Sequence, residues 1–273
     1  MPQSTKHSWQ KWGPVDYKTT AMSAISLIVA ITLWEIAAWL VDSPYFPGFS
    51  DVVNAFATIA IKGDVEGYSL LDHAVASVLR VLAGFSVACL TGIPQGLLMG
   101  LKPSVYKTSK SIIEPLRFIP PIAWIPLAFI LLRGYSRYVF LIWLGAFFPI
   151  FLNVMASVKR TSPTLVDVAK TFGANKKQTI LKIVVPSALP EIVAGMRIGL
   201  GVGWMCIVAA EMIPLPGGAT TGLGRLIWNY TELQQVDVII VGMITIGLLG
   251  LLMNEILLQT EKRLFRWRPE VKL

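Results

Sequence analysis

Six apolar stretches, at about 21–41, 74–101, 111–132, 137–158, 187–213 and 237–258, are each long enough to cross a bilayer as helix, which takes about 20 apolar residues. That pattern leaves few folds open. In hydrocarbon every backbone N–H and C=O needs a partner within the protein, so a chain of this kind builds a helical bundle. The expectation is an all-α polytopic membrane protein of about six transmembrane helices. Composition agrees, since only 15% of residues are charged and 54% are hydrophobic, against about a quarter charged in soluble domains. Pro115, Pro120, Pro121 and Pro126 interrupt the third stretch. The first follows a segment carrying Lys6, Lys11 and Lys18, but its apolar core is too long for a signal peptide and "LWEIAAWL" offers no small-x-small cleavage site. It reads as an uncleaved first span.

With six spans, 17 of the 24 lysines and arginines fall on one side: in the 1–20 segment, in the loop after the second span, in the segment after the fourth, and in the 259–273 tail. Lys62, Arg133, Arg137 and Arg225 fall on the other. The excess of Lys and Arg in cytoplasmic loops then places both termini in the cytoplasm. It also accounts for the net charge of +8 without nucleic acid. Two histidines and two cysteines, Cys89 and Cys206 inside apolar runs, give no metal site and no disulfide framework.

Three arginines lie within spans: Arg80, Arg117 and Arg197. Each costs about 2.5–3.5 kcal/mol at the centre of a bilayer, so each should face protein or water. His73, Ser77, Arg80 and Gly84 form one helical stripe in the second span. In the fifth, Gly195, Gly199 and Gly203 make a small-residue packing face. Arg197, Gly201, Trp204, Val208 and Glu211 lie opposite. Two readings stand for these polar groups: they line a substrate pathway (Arg197, Trp204, Glu211, Arg117, Arg80 and Ser77), or they pair internally at helix junctions. The proline-rich segment around Arg117 reads as a cavity-lining broken helix, a packing kink, or an entry segment at the interface. Glu35 reads as reaching the headgroup region at the outer end of the first span.

Between the fourth and fifth spans lies a basic, water-soluble insert, about 161–186. Ser162–Pro163 opens it as a helix start, with Asp167 supplying first-turn charge, and Gly173 divides it into helix, turn and second helix. The second helix sets Lys176, Lys177 and Lys182 against Ile180, Ile183 and Val184. A helix–Gly–helix held at the cytoplasmic surface is a shape suited to docking another protein.

These residues resemble the cytoplasmic loop of the ABC importer permeases: Glu-Ala-Ala, three residues, Gly, nine residues, then Ile-x-Leu-Pro. Here Asp167-Val168-Ala169, Gly173 and Ile183-Val184-Val185-Pro186 stand at that spacing, with Asp for Glu, Val for Ala and Val for Leu. "LWEIAAW", "FPGFSDVVNAF", "PPIAWIPLAFILL", "GMRIGLGVGWMCIVAAEM" and "GLGRLIW" are similar to the nitrate/sulfonate/taurine/bicarbonate branch. Arg133-Gly134-Tyr135-Ser136 departs from the Phe-Gly-x-Gly common there. The resemblance implies a homodimer of permeases, or a heterodimer with a paralogue. It implies two ATPase subunits carrying the ATP and Mg, an extracytoplasmic substrate-binding protein, and a coupling element made of Asp167, Val168, Ala169, Phe172, Gly173, Ala174 and Pro186. This chain would itself hold no cofactor and catalyse nothing: none of its 22 glycines precedes a lysine, so it has no Gly-Lys-Ser/Thr phosphate loop.

The cargo implied is a small anion, alkanesulfonate or taurine before nitrate or bicarbonate, with a neutral or cationic molecule such as a thiamine precursor as the alternative. An intramembrane enzyme would need more than the Ser77/His73 pair, and a passive channel would need no docking insert. The 42–73 segment reads as an amphipathic helix near 51–61, with Val52, Ala55, Phe56 and Ile59 on one face, lying on the outer surface as a lid or brace. The Arg/Trp-rich tail reads as lying on lipid headgroups. Trp9 and Trp12 would anchor an N-terminal foot.

Overall fold

A computed structural model describes residues 17–214 and 220–265, all helix and connection. The N-terminal foot and most of the 259–273 tail lie outside the described residues. The helices are α1 (Tyr17–Val41), α2 (Phe49–Lys62), α3 (Leu70–Leu101), α4 (Pro103–Phe118), α5 (Ile125–Leu131), α6 (Ser136–Lys159), α7 (Pro163–Thr171), α8 (Lys176–Thr179), α9 (Val185–Met212), α10 (Leu223–Glu232) and α11 (Val236–Leu264). Five unbroken stretches are long and apolar enough to cross a membrane, and α4–α5 form a pair bent by 91°.

Glycine contacts fix the helix directions. A Cβ on Gly84, Gly92, Gly96 or Gly100 of α3 would press on Ile142, Ile150, Val154 or Val158 of α6, in each case 58 positions further along. A constant offset means that α3 and α6 run parallel. The chain between them must therefore cross back, and the bent α4–α5 segment is that crossing. Gly195 sits against Asn153, Gly199 against Ile150 and Gly203 against Ile142, so α9 runs antiparallel to α6. This is the small-residue face expected of the fifth span. Gly250 against Trp204, and Arg197 beside Glu261, make α11 antiparallel to α9. One end of the bundle thus holds the insert, the start of α1 and the end of α11. The other holds α2, α10 and their loops.

The third stretch is not one continuous 111–132 helix, as its prolines predict. Pro120 and Pro121 supply no N–H, and the helix stops at Phe118, turns through a 3₁₀ segment (Pro121–Trp124) and restarts at α5. The second helix of the insert likewise does not end at Pro186. Lys176–Met212 runs as one helix, with a π turn over Ile180–Val184 in which Val185 N–H donates to Ile180 O. That extra residue in the turn accommodates Pro186, which has no N–H to give. The second span starts earlier than residue 74, at Leu70, where Ser69 and Asp72 form a reciprocal capping box.

The amphipathic helix α2 packs inward: Val52, Ala55 and Ile59 are buried in the main core with Val238 and Val241 of α11, while Phe56 is left exposed. Glu35 does not reach for headgroups. It accepts from Ser50 N–H (3.2 Å) and Ser50 O–H (2.6 Å), tying α1 to the first turn of α2.

Candidate functional site

Two regions carry the residues singled out above. The first lies at the far end, where the α3 stripe meets the end of α9 and the start of α10. His73 and Ser77 have no exposed surface, and Glu211 has almost none. Ser77 Oγ donates to the Glu211 carboxylate (2.8 Å to Oε2), and Arg80 Nη1 donates to Glu211 Oε1 and to Thr221 O (2.7 Å). Backbone N–H groups complete the set: Leu223 donates to Ser77 Oγ (2.9 Å) and Gly224 to Glu211 Oε2 (3.2 Å). His73 Nε2 lies 3.1 Å from Asp64 Oδ2 and Nδ1 lies 3.0 Å from Gly222 N. With Nε2–H donating to Asp64, Nδ1 accepts from Gly222 N–H. Asp64 Oδ1 accepts from the N–H groups of Glu66 and Tyr68. The Arg80 guanidinium also lies over the Tyr138 ring, 5.0 Å from its centre.

The N–H groups of Gly222, Leu223 and Gly224, at the N-cap and first turn of α10, have no partner within the helix; this cradle satisfies them. Gly222 has φ +143°, and a Cβ there would collide with the Glu211 carboxylate, so only glycine fits. The Ser77/His73 pair weighed for an enzyme is not a catalytic pair. Both ring nitrogens are engaged elsewhere and Ser77 is directed at Glu211. Beside the cradle on α10, burial pushes the Tyr230 hydroxyl pKa above its ordinary value, and the Asp64 carboxylate adds to the shift.

The other polar span residues do not join this cluster. Arg197 lies 14 residues before Glu211, about 21 Å along the helix, and pairs with Glu261 of α11 at 3.6 Å, both partly exposed. Trp204 is buried, and its Nε1–H donates to Ile246 O. Arg117 pairs with Glu114 at 3.4 Å on the broken span and lies over Phe118. Each of the three arginines therefore has its own glutamate.

The second region is the insert. Ser162 is the N-cap of α7 and Pro163 its first residue. Asp167 falls in the second turn, not the first, and reaches Lys170 at 3.1 Å. The chain turns at Phe172–Gly173, with Gly173 at φ +78° and Ala174 N–H donating to Ala169 O. Asn175 and Gln178 cap the next helix reciprocally. No residue of α7 is buried. Leu165 (49% exposed), Val168 (47%) and Phe172 (87%) recur along one open apolar side. Of the remaining residues expected there, Ala169 and Ala174 are half-buried, and Pro186 lies half-buried in the first turn of α9.

Nothing in residue type or spacing marks Asp64, Thr221, Gly222, Leu223 or Gly224 as partners of the stripe, or Glu261 as partner of Arg197. Four of these act through backbone groups, and a backbone donor leaves no residue-type signature. The pairing of Asp64 with His73 was open to a search for acids near the buried histidine.

Comparison with known proteins agrees with this architecture. Residues 92–265 match the model of the family described as binding-protein-dependent transport system inner membrane component. A putative ABC transporter permease protein of Methanocaldococcus jannaschii is 38% identical over 246 residues, covering 89% of this chain and 91% of that one. The taurine transport system permease protein TauC of Escherichia coli K12 is 35% identical over 265 residues, covering 96% and 95%. Among solved structures, the MetNI methionine ABC transporter in an inward-facing conformation aligns with TM-score 0.61 at 20% identity, over 72% of this chain and 94% of that one. At that identity the likeness speaks for the fold.

Proposed function

From the premise that this chain belongs to the family of binding-protein-dependent transport system inner membrane components, and is the permease subunit of an ABC importer, we propose three finer assignments. The cargo is a small anion of the alkanesulfonate or taurine type. Two copies, or this chain and a paralogue, enclose the pathway and receive cargo from an extracytoplasmic binding protein. Two ATPase subunits, which hold the ATP and Mg, dock on the insert at the cytoplasmic end.

The observation that carries the last assignment is the open side of α7. Three apolar side chains stand clear on the side of α7 that the other described residues leave open, while the turn after it is held by backbone bonds. An exposed apolar patch on a rigid frame marks a protein interface. The insert end also holds most of the basic residues, which supports its cytoplasmic placement. The continuous Lys176–Met212 helix gives a push on the insert a rigid route into the span carrying Arg197 and Glu211.

The anion reading is supported by the similarity to TauC and by arginines at bundle depth, of which Arg197 and Arg117 keep exposed surface. Arg80, Ser77 and Glu211 are assigned to holding the far end together rather than to touching cargo. The test is uptake in vesicles reconstituted with the chain, its ATPase and its binding protein. ATP-dependent accumulation of taurine, competed by other sulfonates and not by thiamine precursors, is expected. Uptake without ATPase would restore the channel reading, and uptake of a cation would overturn the cargo.

A further inference from the structure

Two ring contacts fix where the broken span runs. Near the start of α4, the Lys159 ammonium from the last turn of α6 lies 4.7 Å from the centre of the Tyr106 ring. Just past the break, the Trp124 ring meets Phe140, in the second turn of α6, at 6.5 Å. Those two points of α6 are 19 residues apart, about 28 Å along its axis. The seven residues of α5 rise only about 10 Å, so α4 and the break make most of the crossing between parallel α3 and α6. Glu114 and Arg117 stand between the two contacts, at bundle depth.

The two halves of α4 differ. At 3.6 residues per turn, Tyr106, Lys107, Lys110, Ser111, Glu114 and Arg117 share one half, and Val105, Ile112, Ile113 and Leu116 share the other. Val105 and Ile113, with Tyr106 at the boundary, pack on Met99, Phe151 and Met155, and Ile112 is left bare. On the polar half Lys107, Lys110 and Ser111 are exposed, and neither lysine makes an ion pair among the described residues. The Glu114 and Arg117 side chains keep 29% and 31% of their surface open. Hydrocarbon does not solvate charges left open on a crossing segment, so this half faces water. In a bundle whose pathway two copies enclose, that water is the pathway on the insert side.

Arg117 is also less committed than Arg80. Arg80 spends its guanidinium on Glu211, Thr221 O and the Tyr138 ring. Arg117 has one loose ion pair, 3.4 Å to Glu114, against about 2.7–2.9 Å for a charge-assisted hydrogen bond. Its Nε is buried without a hydrogen-bond partner among the described residues. Glu114 is shared with Tyr106, whose O–H donates to it at 2.8 Å. A planar guanidinium with donors to spare, open to water at depth, matches an oxyanion.

We propose that the polar half of α4 lines the insert-side part of the cargo pathway. Arg117 binds the sulfonate or other oxyanion head of the cargo there, and Glu114 is the carboxylate that the cargo displaces. Lys107 and Lys110 continue the positive lining toward the insert end, which favours anions over cations along it. The proposal deepens the anion reading and, for the identity of the cargo, rests on it.

The test uses the full-length chain with Cys89→Ala and Cys206→Ala in neutral maltoside micelles, carrying Ser111→Cys or Ile112→Cys. Modification rates are measured with anionic sulfonatoethyl methanethiosulfonate and cationic trimethylammonioethyl methanethiosulfonate, each normalised to a free thiol. The expected result is fast modification at 111, slow modification at 112, and preference for the anionic reagent at 111. Arg117→Gln should lower that preference about fivefold, the effect of one charge about 9 Å away in a largely aqueous setting on two reagents of opposite sign. Glu114→Gln should raise it by a similar factor, a gain that a misfolded variant would not give. Isethionate, a small alkanesulfonate, should slow the anionic reagent at 111 in the parent and not in Arg117→Gln. Equal rates at 111 and 112, fast or slow, would overturn the water-lined half. A preference unmoved by both charge variants, or no protection by isethionate, would overturn the role of Arg117. These rates need neither the binding protein nor uptake, so a parent that shows them and accumulates no taurine would remove taurine as cargo and keep the site.

Discussion

The far-end cradle and the insert are opposites. In the cradle, polar and charged side chains are buried and each has its partners: Ser77, Arg80 and Glu211 with one another and with the backbone of 221–224, His73 with Asp64 and Gly222. In the insert, apolar side chains are exposed and have none: Leu165, Val168 and Phe172 face outward from α7. A buried polar group with its bonds complete holds structure together. An exposed apolar group with no neighbour awaits another molecule. The difference sorts the residues that chemistry alone had grouped as functional.

The largest effect is expected at the cradle. Glu211→Leu leaves Arg80 buried without its carboxylate, a change of about 3–5 kcal/mol. The variant should lose the monodisperse peak on size-exclusion chromatography, and Arg80→Met added to it should restore part of that peak. If Glu211→Leu alone were as stable as the parent, the cradle would not be the structural lock described.

At the insert the effect should fall on association. Phe172→Asp removes an exposed aromatic anchor, for which about 2 kcal/mol or more, roughly thirtyfold in affinity, is typical. ATPase binding should weaken by that factor in a pull-down titration, with the thermal midpoint of the isolated chain unmoved. A smaller loss is expected from His73→Ala, which strands the Asp64 carboxylate and the Gly222 N–H and should cost about 1–3 kcal/mol of thermal stability. The smallest belongs to Lys170→Ala. The Asp167–Lys170 pair is exposed, and its removal should change stability by about 0–0.5 kcal/mol.

Much of this division was legible from spacing. The stripe of His73, Ser77, Arg80 and Gly84 is one face of α3. The three glycines of α9 are its packing face, and helix–Gly–helix is the form of the insert. Helical phase reports which residues share a side, and that survives folding. Phase does not report what a side meets. Arg197 and Glu211 share a face yet find different partners about four turns apart, so a pathway read from phase alone joined groups that belong to separate sites. Prolines are read less surely than phase: Pro120 and Pro121 break the third stretch as expected, while Pro186, where the insert was expected to end, does not end a helix. The outcome turned on whether the backbone could absorb the missing donor, by a π turn in one case and a 3₁₀ turn in the other. The inward packing of α2 depended on a partner face of α11 far along the chain, which no local window contains.

The central claim is that the insert, not the cradle, is where the chain meets its ATPase. The most direct measurement is side-by-side co-purification of the ATPase with the parent chain, Phe172→Asp and Ser77→Ala, each solubilised gently and matched for folded permease. The account predicts full recovery of the ATPase with the parent and with Ser77→Ala, and loss with Phe172→Asp. Retention with Phe172→Asp, or loss with a well-folded Ser77→Ala, would contradict it.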